Sequence, residues 1–368
     1  MQNLKDFMDM VFMMNNLQKQ LKDKGAGFCA LIISPENRKY FTGFESSDGF
    51  LLVSSDRAVF ITDGRYIEAA EKQIGSCEVV LLGKKTYPQI AEFLKEMNCR
   101  HLLVESTRMT VSTYNSLKGV LKNISISTDT TLDSIINSIR SIKTEKEVES
   151  IIKAQRIAED AFSHILKFIK VGMSEKEIAL ELDFFMLRNG GEGLSFETIA
   201  VSGKNSSMPH GVPSNKKIEN GDFITLDFGT IINGYHSDMT RTIAVGFATD
   251  EMKNIYNTVL DAQNNCLNNI KAGISCKDGD EFARAVIRDN GYGQYFTHST
   301  GHGVGVEIHE YPNLSPASDS ILQVGNIVTV EPGIYMPEKF GVRIEDMALI
   351  TENGCRNLTN APKELIIL

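Results

Sequence analysis

The chain has 368 residues, 42% of them apolar and 23% charged, enough for a sizeable core and, at roughly 150 residues per domain, for two domains. A formal charge of −9 with no Lys/Arg stripe speaks against a nucleic-acid partner, because phosphate binding needs a concentrated basic surface. No run of about 18 apolar residues occurs, which speaks against a membrane span.

The first predicted element is an amphipathic helix over residues 2–23, with Leu4, Phe7, Met8, Val11, Phe12, Met14 and Leu17 at helical spacing. Asp6 and Asp9 interrupt it, so it lacks the unbroken apolar core of a signal peptide. From there to about 128, the β-type runs CALIIS, FLLVS, AVFIT, EVVLL and HLLVE alternate with helical stretches near 66–74, 87–98 and 112–121, the rhythm of an α/β layer domain. Residues 131–142 read as a linker between domains at 1–130 and 143–368. The mixed run Lys143–Glu149 reads as solvated and opens a long helix to about Lys170. Ser174 and Glu177 form a capping-box pattern for another helix, ended by Gly190-Gly191. After Gly203 the chain becomes strand- and turn-rich, with helices over about 250–270 and 278–289. The cysteines Cys29, Cys77, Cys99, Cys266, Cys276 and Cys355 are scattered with no CxxC pair, which points to a reducing, cytoplasmic setting.

Five residues with metal-ligating side chains stand in order in the second half: Asp227 in ITLDFG, Asp238 in HSDMTRT, His302 in STGHGVG, Glu331 in VTVEPG and Glu345 in VRIED. Asn233-Gly234 is a strong hairpin signal, and a two-residue turn there sets residue 227 opposite 240 and 229 opposite 238. Both aspartates then leave one face of the ribbon as diagonal neighbours, while Ile224, Leu226 and Phe228 point the other way into a core. Carboxylates that close resist joint ionisation unless positive charge lies between them. Two divalent ions supply it, with the four carboxylates neutralising their charge and His302 adding a neutral nitrogen. Metals roughly 3.5–4 Å apart can bridge one water, lower its pKa and clamp a hydrolytic oxyanion. Oxygen-rich ligation with one imidazole favours Mn²⁺, Co²⁺ or Fe²⁺ over a structural zinc. Arg343 shares a strand face with Glu345, where it can fix a ligating carboxylate.

Four of the seven histidines occupy motif-like surroundings: His210 in MPHGVP, His298 and His302 in FTHSTGHGVG, and His309 in EIHEYP. Gly301, Gly303 and Gly305 are expected to let the backbone approach a ligand closely. They do not make a dinucleotide fingerprint, since Val306 stands where a third glycine is required. His101, His164 and His236 receive no role.

With these stretches on the page, the chain resembles the pita-bread metallopeptidases, and within them the Xaa-Pro aminopeptidase (aminopeptidase P) and prolidase branch. YFTGFESSDGFLL (40–52) and ITDGRY (61–66) are similar to that branch's creatinase-like N-terminal domain. SGKNSSMPHGVP (202–213), LDFG, YHSDMTRT, HSTGHGVGVEIHE (298–310), VEPGIY (330–335) and VRIED are similar to its catalytic domain. The resemblance implies an α/β (α+β) protein, usually a homodimer, with a three-layer N-terminal domain and a catalytic domain built on a curved, mainly antiparallel sheet flanked by helices. It implies two divalent metal ions, Mn²⁺ foremost, with Co²⁺, Fe²⁺ or Zn²⁺ as other ions such a site takes. Asp227 and Asp238 would bind one metal, with His302 and Glu331 on the second, and with Asp238 and Glu345 bridging. Glu331 would also be the general base. His210 and His309 would contact substrate and steady the oxyanion or leaving group, His298 would line the proline-side pocket, and Arg343 would order the ligand carboxylates.

The activity implied is cleavage, by a hydroxide bridging the metals, of the bond between an N-terminal residue and a following proline in peptides. A dipeptidase acting on Xaa-Pro alone is the near alternative, and a peptide-binding module of the same fold is the non-enzymatic one. A methionine aminopeptidase fits less well, since that branch ordinarily lacks this N-domain, and the intact ligand set disfavours a metal-free creatinase-like amidinohydrolase. The chain has no Trp, so if an aromatic from a neighbouring subunit closes the pocket, as in some relatives, another side chain does so here.

Overall fold

The computed structural model describes the backbone of residues 2–368 and the side chains of residues 11–368. The chain divides between Arg140 and Ser141 into two compact units.

The first unit opens on α1 (Gln2–Lys24), which buries Met13, Met14, Leu17 and Leu21, while Phe12 turns outward at 53% exposure. Leu4, Phe7 and Met8 of the predicted stripe lie outside the described side chains. There follow β1 (Phe28–Ile32), α2 (Pro35–Thr42), β2 (Phe50–Val53), β3 (Ala58–Thr62), α3 (Ile67–Gln73), β4 (Glu78–Leu81), α4 (Thr86–Glu96), β5 (His101–Val104), α5 (Val111–Val120), β6 (Ser125–Ser127) and α6 (Thr131–Ser141). The strands make one mixed sheet in the order β4-β3-β2-β1-β5-β6. Strands β1, β2 and β3 run antiparallel, and the outer pairings are parallel. Every residue of β3 is buried, which is why these strands read as continuous apolar runs rather than alternating ones. Cys29, Leu31, Leu102 and Val104 pack against Ile90 and Leu94 of α4 and Leu117 of α5.

The stretch 131–142, expected to be a linker, carries helix α6 instead. Leu132, Ile135 and Ile136 are buried at helical spacing, Asp133 accepts from the Ser106 amide (2.9 Å), and Arg140 donates to Asn37 (2.8 Å). These ties belong to the first unit, so the division falls at the helix's C-terminal end rather than before it.

In the second unit α7 (Glu145–Phe168) and α8 (Glu175–Arg188) each begin with a complete capping box, Thr144 with Glu147 and Ser174 with Glu177. The run Lys143–Glu149 is only partly solvated. Lys143 pairs with Glu310 at 2.9 Å with both side chains buried, and Glu147 accepts from the Tyr235 hydroxyl at 3.0 Å. Then come β7 (Ile199–Ser202), β8 (Phe223–Phe228), β9 (Ile231–Ile232), β10 (Tyr235–His236), β11 (Met239–Ala244), α9 (Asp250–Asn269) and α10 (Cys276–Asp289). The chain ends with β12 (Gly301–Gly303), β13 (Glu310–Leu314), β14 (Ile327–Val330), β15 (Gly333–Met336), β16 (Phe340–Arg343), β17 (Asp346–Ile350) and β18 (Cys355–Asn357).

These strands pair antiparallel, in sheets ordered β11-β8-β7 and β13-β12-β14-β17-β18 with the ribbons β9–β10 and β15–β16. Helices α7 and α8 pack on the first sheet through Phe162, Ile178 and Leu182 against Leu226 and Phe228. Helices α9 and α10 pack on the second through Val259, Cys266 and Ala283 against Val328 and Val330. The architecture is the expected α/β (α+β) one, with antiparallel sheets flanked by helices. Arg241, fully buried on β11, locks the two sheets together by donating to the Glu345 carbonyl (2.6 Å) and pairing with Asp346 (2.7 Å).

Candidate metal centre and substrate pocket

The site grows from one hairpin. Asn233 and Gly234 take positive φ, 53° and 77°, the conformation whose twist suits a two-residue turn. Ile232 therefore faces Tyr235 in β9–β10, and Asp227 faces Thr240 in β8–β11, as the turn predicted. Between the two ribbons Gly229 is obligatory, since a Cβ there would meet the Ser237 carbonyl oxygen at 1.9 Å. Asp227 and Asp238 both open into a cavity of about 660 Å³, while Ile224, Leu226 and Phe228 enter the core behind.

That cavity brings together every predicted site residue: Asp227, Asp238, His302, Glu331, Glu345, His210, His298, His309 and Arg343. Phe196, Ile199, Val212, Pro213 and Ile308 add an apolar wall.

One oxygen each of Asp238 and Glu345 and one ring nitrogen of His302 lie within 4.8 Å of one another. The His302 Nδ1 donates to the Gly303 carbonyl (3.0 Å), which leaves the Nε2 lone pair free toward Asp238 and Glu331, each 3.5 Å away. Burial, with His309 close by, pulls the His302 pKa down to about 4, so the ring is a neutral donor at pH 7. Burial and the charges of Asp227 and Glu331 hold Asp238 well above the usual carboxyl range. Burial, with Asp238, Glu331 and Asp227 around it, does the same to Glu345. Burial likewise pushes Glu331 up to about 8, against the pull of Arg343. Asp227 gives Oδ2 to Arg343 at 2.5 Å, while its Oδ1 is buried with no hydrogen-bond partner among the described residues. Crowded carboxylates that resist ionisation, an orphaned oxygen and a neutral imidazole lone pair aimed inward are a donor set that fits divalent cations.

Around the donors, Thr240 Oγ1 donates to Glu345 (2.7 Å) and accepts from Arg343 Nε (3.0 Å), so Arg343 and Glu345 do leave the same strand face. Thr329 Oγ1 accepts from the His302 amide (3.1 Å) and reaches Glu331 (3.3 Å). The buried Tyr335 hydroxyl accepts from Arg343 Nη1 (2.8 Å) and contacts His298 Nε2 (2.8 Å). Because His298 Nδ1 donates to the Ser299 carbonyl (2.8 Å), its Nε2 accepts from the tyrosine. Burial, with Arg343 nearby, takes the His298 pKa down to about 4, consistent with that neutral form. His309 meets the His302 ring edge-on at 4.3 Å between centroids.

The glycines at 301, 303 and 305 are required by close packing within the protein itself. A Cβ on Gly301 would fall 1.9 Å from the Thr329 carbonyl oxygen, one on Gly303 would fall 2.7 Å from the Glu310 carbonyl, and one on Gly305 would fall 2.4 Å from the Glu310 carboxylate. They admit neighbouring backbone and a buried carboxylate, and Gly301 also lines the cavity.

Residues 149–352 match metallopeptidase family M24, and residues 13–142 match the creatinase/prolidase N-terminal domain. The chain belongs to metallopeptidase family M24. Among its M24 relatives, it is 38% identical over 358 residues to an Xaa-Pro dipeptidase of Pyrococcus furiosus, covering 96% of this chain and 100% of that one. Of solved M24 structures, it is similar to an Xaa-Pro dipeptidase from Bacillus anthracis, with a TM-score of 0.93 at 43% identity over 98% of this chain and 100% of that one. It is also similar to an X-Pro aminopeptidase from Thermotoga maritima, with a TM-score of 0.86 at 36% identity over 92% and 97% of the two chains.

Three supports in this M24 site escaped the sequence reading: Thr240, Thr329 and Tyr335. Each lies two residues or four from a candidate ligand within a quoted stretch or strand, and that spacing on one strand face is the signal that could have found the two threonines.

Proposed function

We propose that this M24 chain is an Xaa-Pro aminopeptidase, removing the N-terminal residue of a peptide when proline follows, with two divalent metal ions, Mn²⁺ foremost. The observation that carries the reading is the cluster of Asp238, His302 and Glu345 donors beside the orphaned Asp227 Oδ1 and the raised Glu331 carboxyl. Bound there, the ions would supply Lewis-acid activation of water and carbonyl, the chemistry an inert amide needs.

In this reading Asp227, Asp238, His302, Glu331 and Glu345 hold the ions, and Glu331 takes the proton of the attacking water. His210 and His309 contact the substrate and steady the developing oxyanion or the leaving nitrogen. His298, kept neutral by burial and oriented by Tyr335, lines the proline side, and Arg343 orders Asp227. A bond before proline is a tertiary amide with no N–H, so apolar contacts and ring shape must select it, and the wall of Phe196, Ile199, Val212, Pro213 and Ile308 supplies such contacts. Oxygen-rich ligation with a single imidazole supports Mn²⁺. The six cysteines are free thiols, which suits a reducing cytoplasm, and the resemblance supports a homodimer.

A dipeptidase restricted to Xaa-Pro is the second reading, favoured by the names of the Pyrococcus furiosus and Bacillus anthracis relatives. Metal-stripped protein with Mn²⁺ added back, given matched Xaa-Pro and Xaa-Pro-Yaa peptides, separates the two. Metal-dependent release of the first residue from the tripeptide is the expected result. Turnover of the dipeptide alone selects the second reading, and silence on both removes both.

A further inference from the structure

The loop over 203–214 carries His210 into the pocket, yet among the described residues the His210 ring has no hydrogen-bond partner of its own. Its position is therefore inherited from the backbone that bears it. Both ends of that loop converge on one side chain, Glu175, at the first turn of α8 and wholly buried. Glu175 Oε1 accepts from the Ser202 amide (2.7 Å), the Ser202 hydroxyl (3.0 Å) and Asn205 Nδ2 (3.0 Å). Glu175 Oε2 accepts from the Ser214 amide (3.0 Å) and hydroxyl (2.7 Å). Asn205 Nδ2 also reaches Oε2 (3.2 Å), so Oε1 takes the Ser202 end of the loop and Oε2 holds the Ser214 end while sharing Asn205. The backbone repeats the tie, with the Glu175 amide donating to Lys216 O and the Lys176 amide to Ser214 O, both at 3.1 Å. Lys216, paired with Asp222 (2.7 Å), brings its ammonium to the Ser202 hydroxyl (3.0 Å) as well. Beyond this clasp the loop is held at Ser206, which accepts from the Gly341 amide (2.9 Å), and at the Pro209 carbonyl, which accepts from Arg343 (3.2 Å).

We propose that Glu175 is a positioning residue for the reaction: its carboxylate clasps the two ends of the 203–214 loop and so sets His210 against the substrate. The inference rests on His210 acting on the substrate, as in the function proposed above. A carboxylate has two acceptor oxygens and no donor, which is what a clasp between two sets of N–H and O–H donors needs. Glutamine keeps the shape but turns one acceptor into an NH₂ that faces donors, so one end of the loop must let go.

The test is Glu175→Gln in the full, metal-loaded chain, made both in the wild type and in a His210→Ala background. Three readouts are needed: kcat/KM on an Xaa-Pro-Yaa peptide and amide hydrogen exchange over 202–214 in the Mn²⁺-loaded chain, and the NMR signal of the His210 ring, with His101 as reference, in the chain loaded with diamagnetic Zn²⁺. The expected result is faster exchange at Ser202 and Ser214 and a displaced or broadened His210 signal with His101 unchanged. The rate should fall about 10–100-fold in the wild type, as for a catalytic group displaced by an ångström or so, and less than about 3-fold once His210 is gone. Unchanged exchange, an unmoved His210 signal, or an equal loss of rate in both backgrounds overturns the proposal, since a merely structural carboxylate would act alike with and without His210. Should Glu175→Gln fail to fold, Ser214→Ala, which removes one hydroxyl from the clasp, is judged by the same readouts. If the wild-type chain cleaves neither peptide, the activity reading falls by itself, and exchange with the His210 signal still decides for or against the clasp.

Discussion

Replacing Thr240 by Val exchanges one hydroxyl for one methyl at a position with no solvent exposure. The hydroxyl serves two partners at once, donating to Glu345 at 2.7 Å and accepting from Arg343 at 3.0 Å. Leaving the guanidinium N–H without its acceptor costs about 1.5–3 kcal/mol, and leaving the carboxyl oxygen without its donor costs about 0.5–1.5 kcal/mol. The buried methyl returns about 0.8 kcal/mol, so the net loss is about 1–4 kcal/mol. In a unit the size of residues 141–368 that lowers the melting temperature by about 2–15 °C. Glu345, no longer oriented, should also bind Mn²⁺ about 10–100-fold more weakly, the usual cost of losing a partner that orients a metal ligand. Calorimetry on metal-free protein reads the first effect, and titration with Mn²⁺ reads the second. Thr240→Ser, which keeps both hydrogen bonds, is the control. A valine variant that melts within about 1 °C of the wild type and binds Mn²⁺ within about twofold of it would refute the two-partner account.

Asp238→Asn should abolish Mn²⁺-dependent turnover while raising the stability of the metal-free protein, because it removes a buried carboxyl crowded by Asp227 and Glu331; peptidase assays and melting curves with and without Mn²⁺ check both signs. Stability of the metal-free chain should also depend on pH. Glu331 is raised from 4.5 to about 8, so its contribution is full below the unfolded value and is lost as pH rises toward 8. His302 and His298, lowered from 6.5 to about 4, work the other way, contributing above 6.5 and losing as pH falls through 4. Urea midpoints should therefore fall between pH 6.5 and 8, where only the carboxyl term still changes, and saturating Mn²⁺ should flatten that decline. Finally, Gly301→Ala should cost at least about 3 kcal/mol, because its Cβ would overlap the Thr329 carbonyl oxygen at 1.9 Å; soluble yield and melting temperature report it.

What could be read from sequence was what local chemistry encodes. Asn233-Gly234 dictates a turn, the turn dictates a register, and the register alone puts Asp227 and Asp238 on one face. The capping box at Ser174 was equally legible, since its partner lies three residues away, and the one at Thr144 has the same spacing but went unread. Features that depend on distant partners were not. Nothing near Lys143 in sequence announces Glu310, so a buried ion pair passed for solvated charge. Helix α6 was taken for a linker because Leu132, Ile135 and Ile136 make only a short apolar stripe, although all three are buried. Helix α2, eight residues between Pro35 and the left-handed Gly43, and strand β6, of three residues, are too brief to show a period at all. The glycines at 301, 303 and 305 were recognised as places of close approach, but sequence could not say that the approaching group is the protein's own backbone.

The donors that converge in the cavity are strung along the chain from Asp227 on β8 to Glu345, just past the end of β16. A chain emerging from the ribosome therefore cannot present the full set until Glu345 has been made, and no fragment that stops short of Glu345 holds it. The full donor set is withheld while everything before Glu345 is made, when the unfolded segments of the chain itself would be the nearest available peptide.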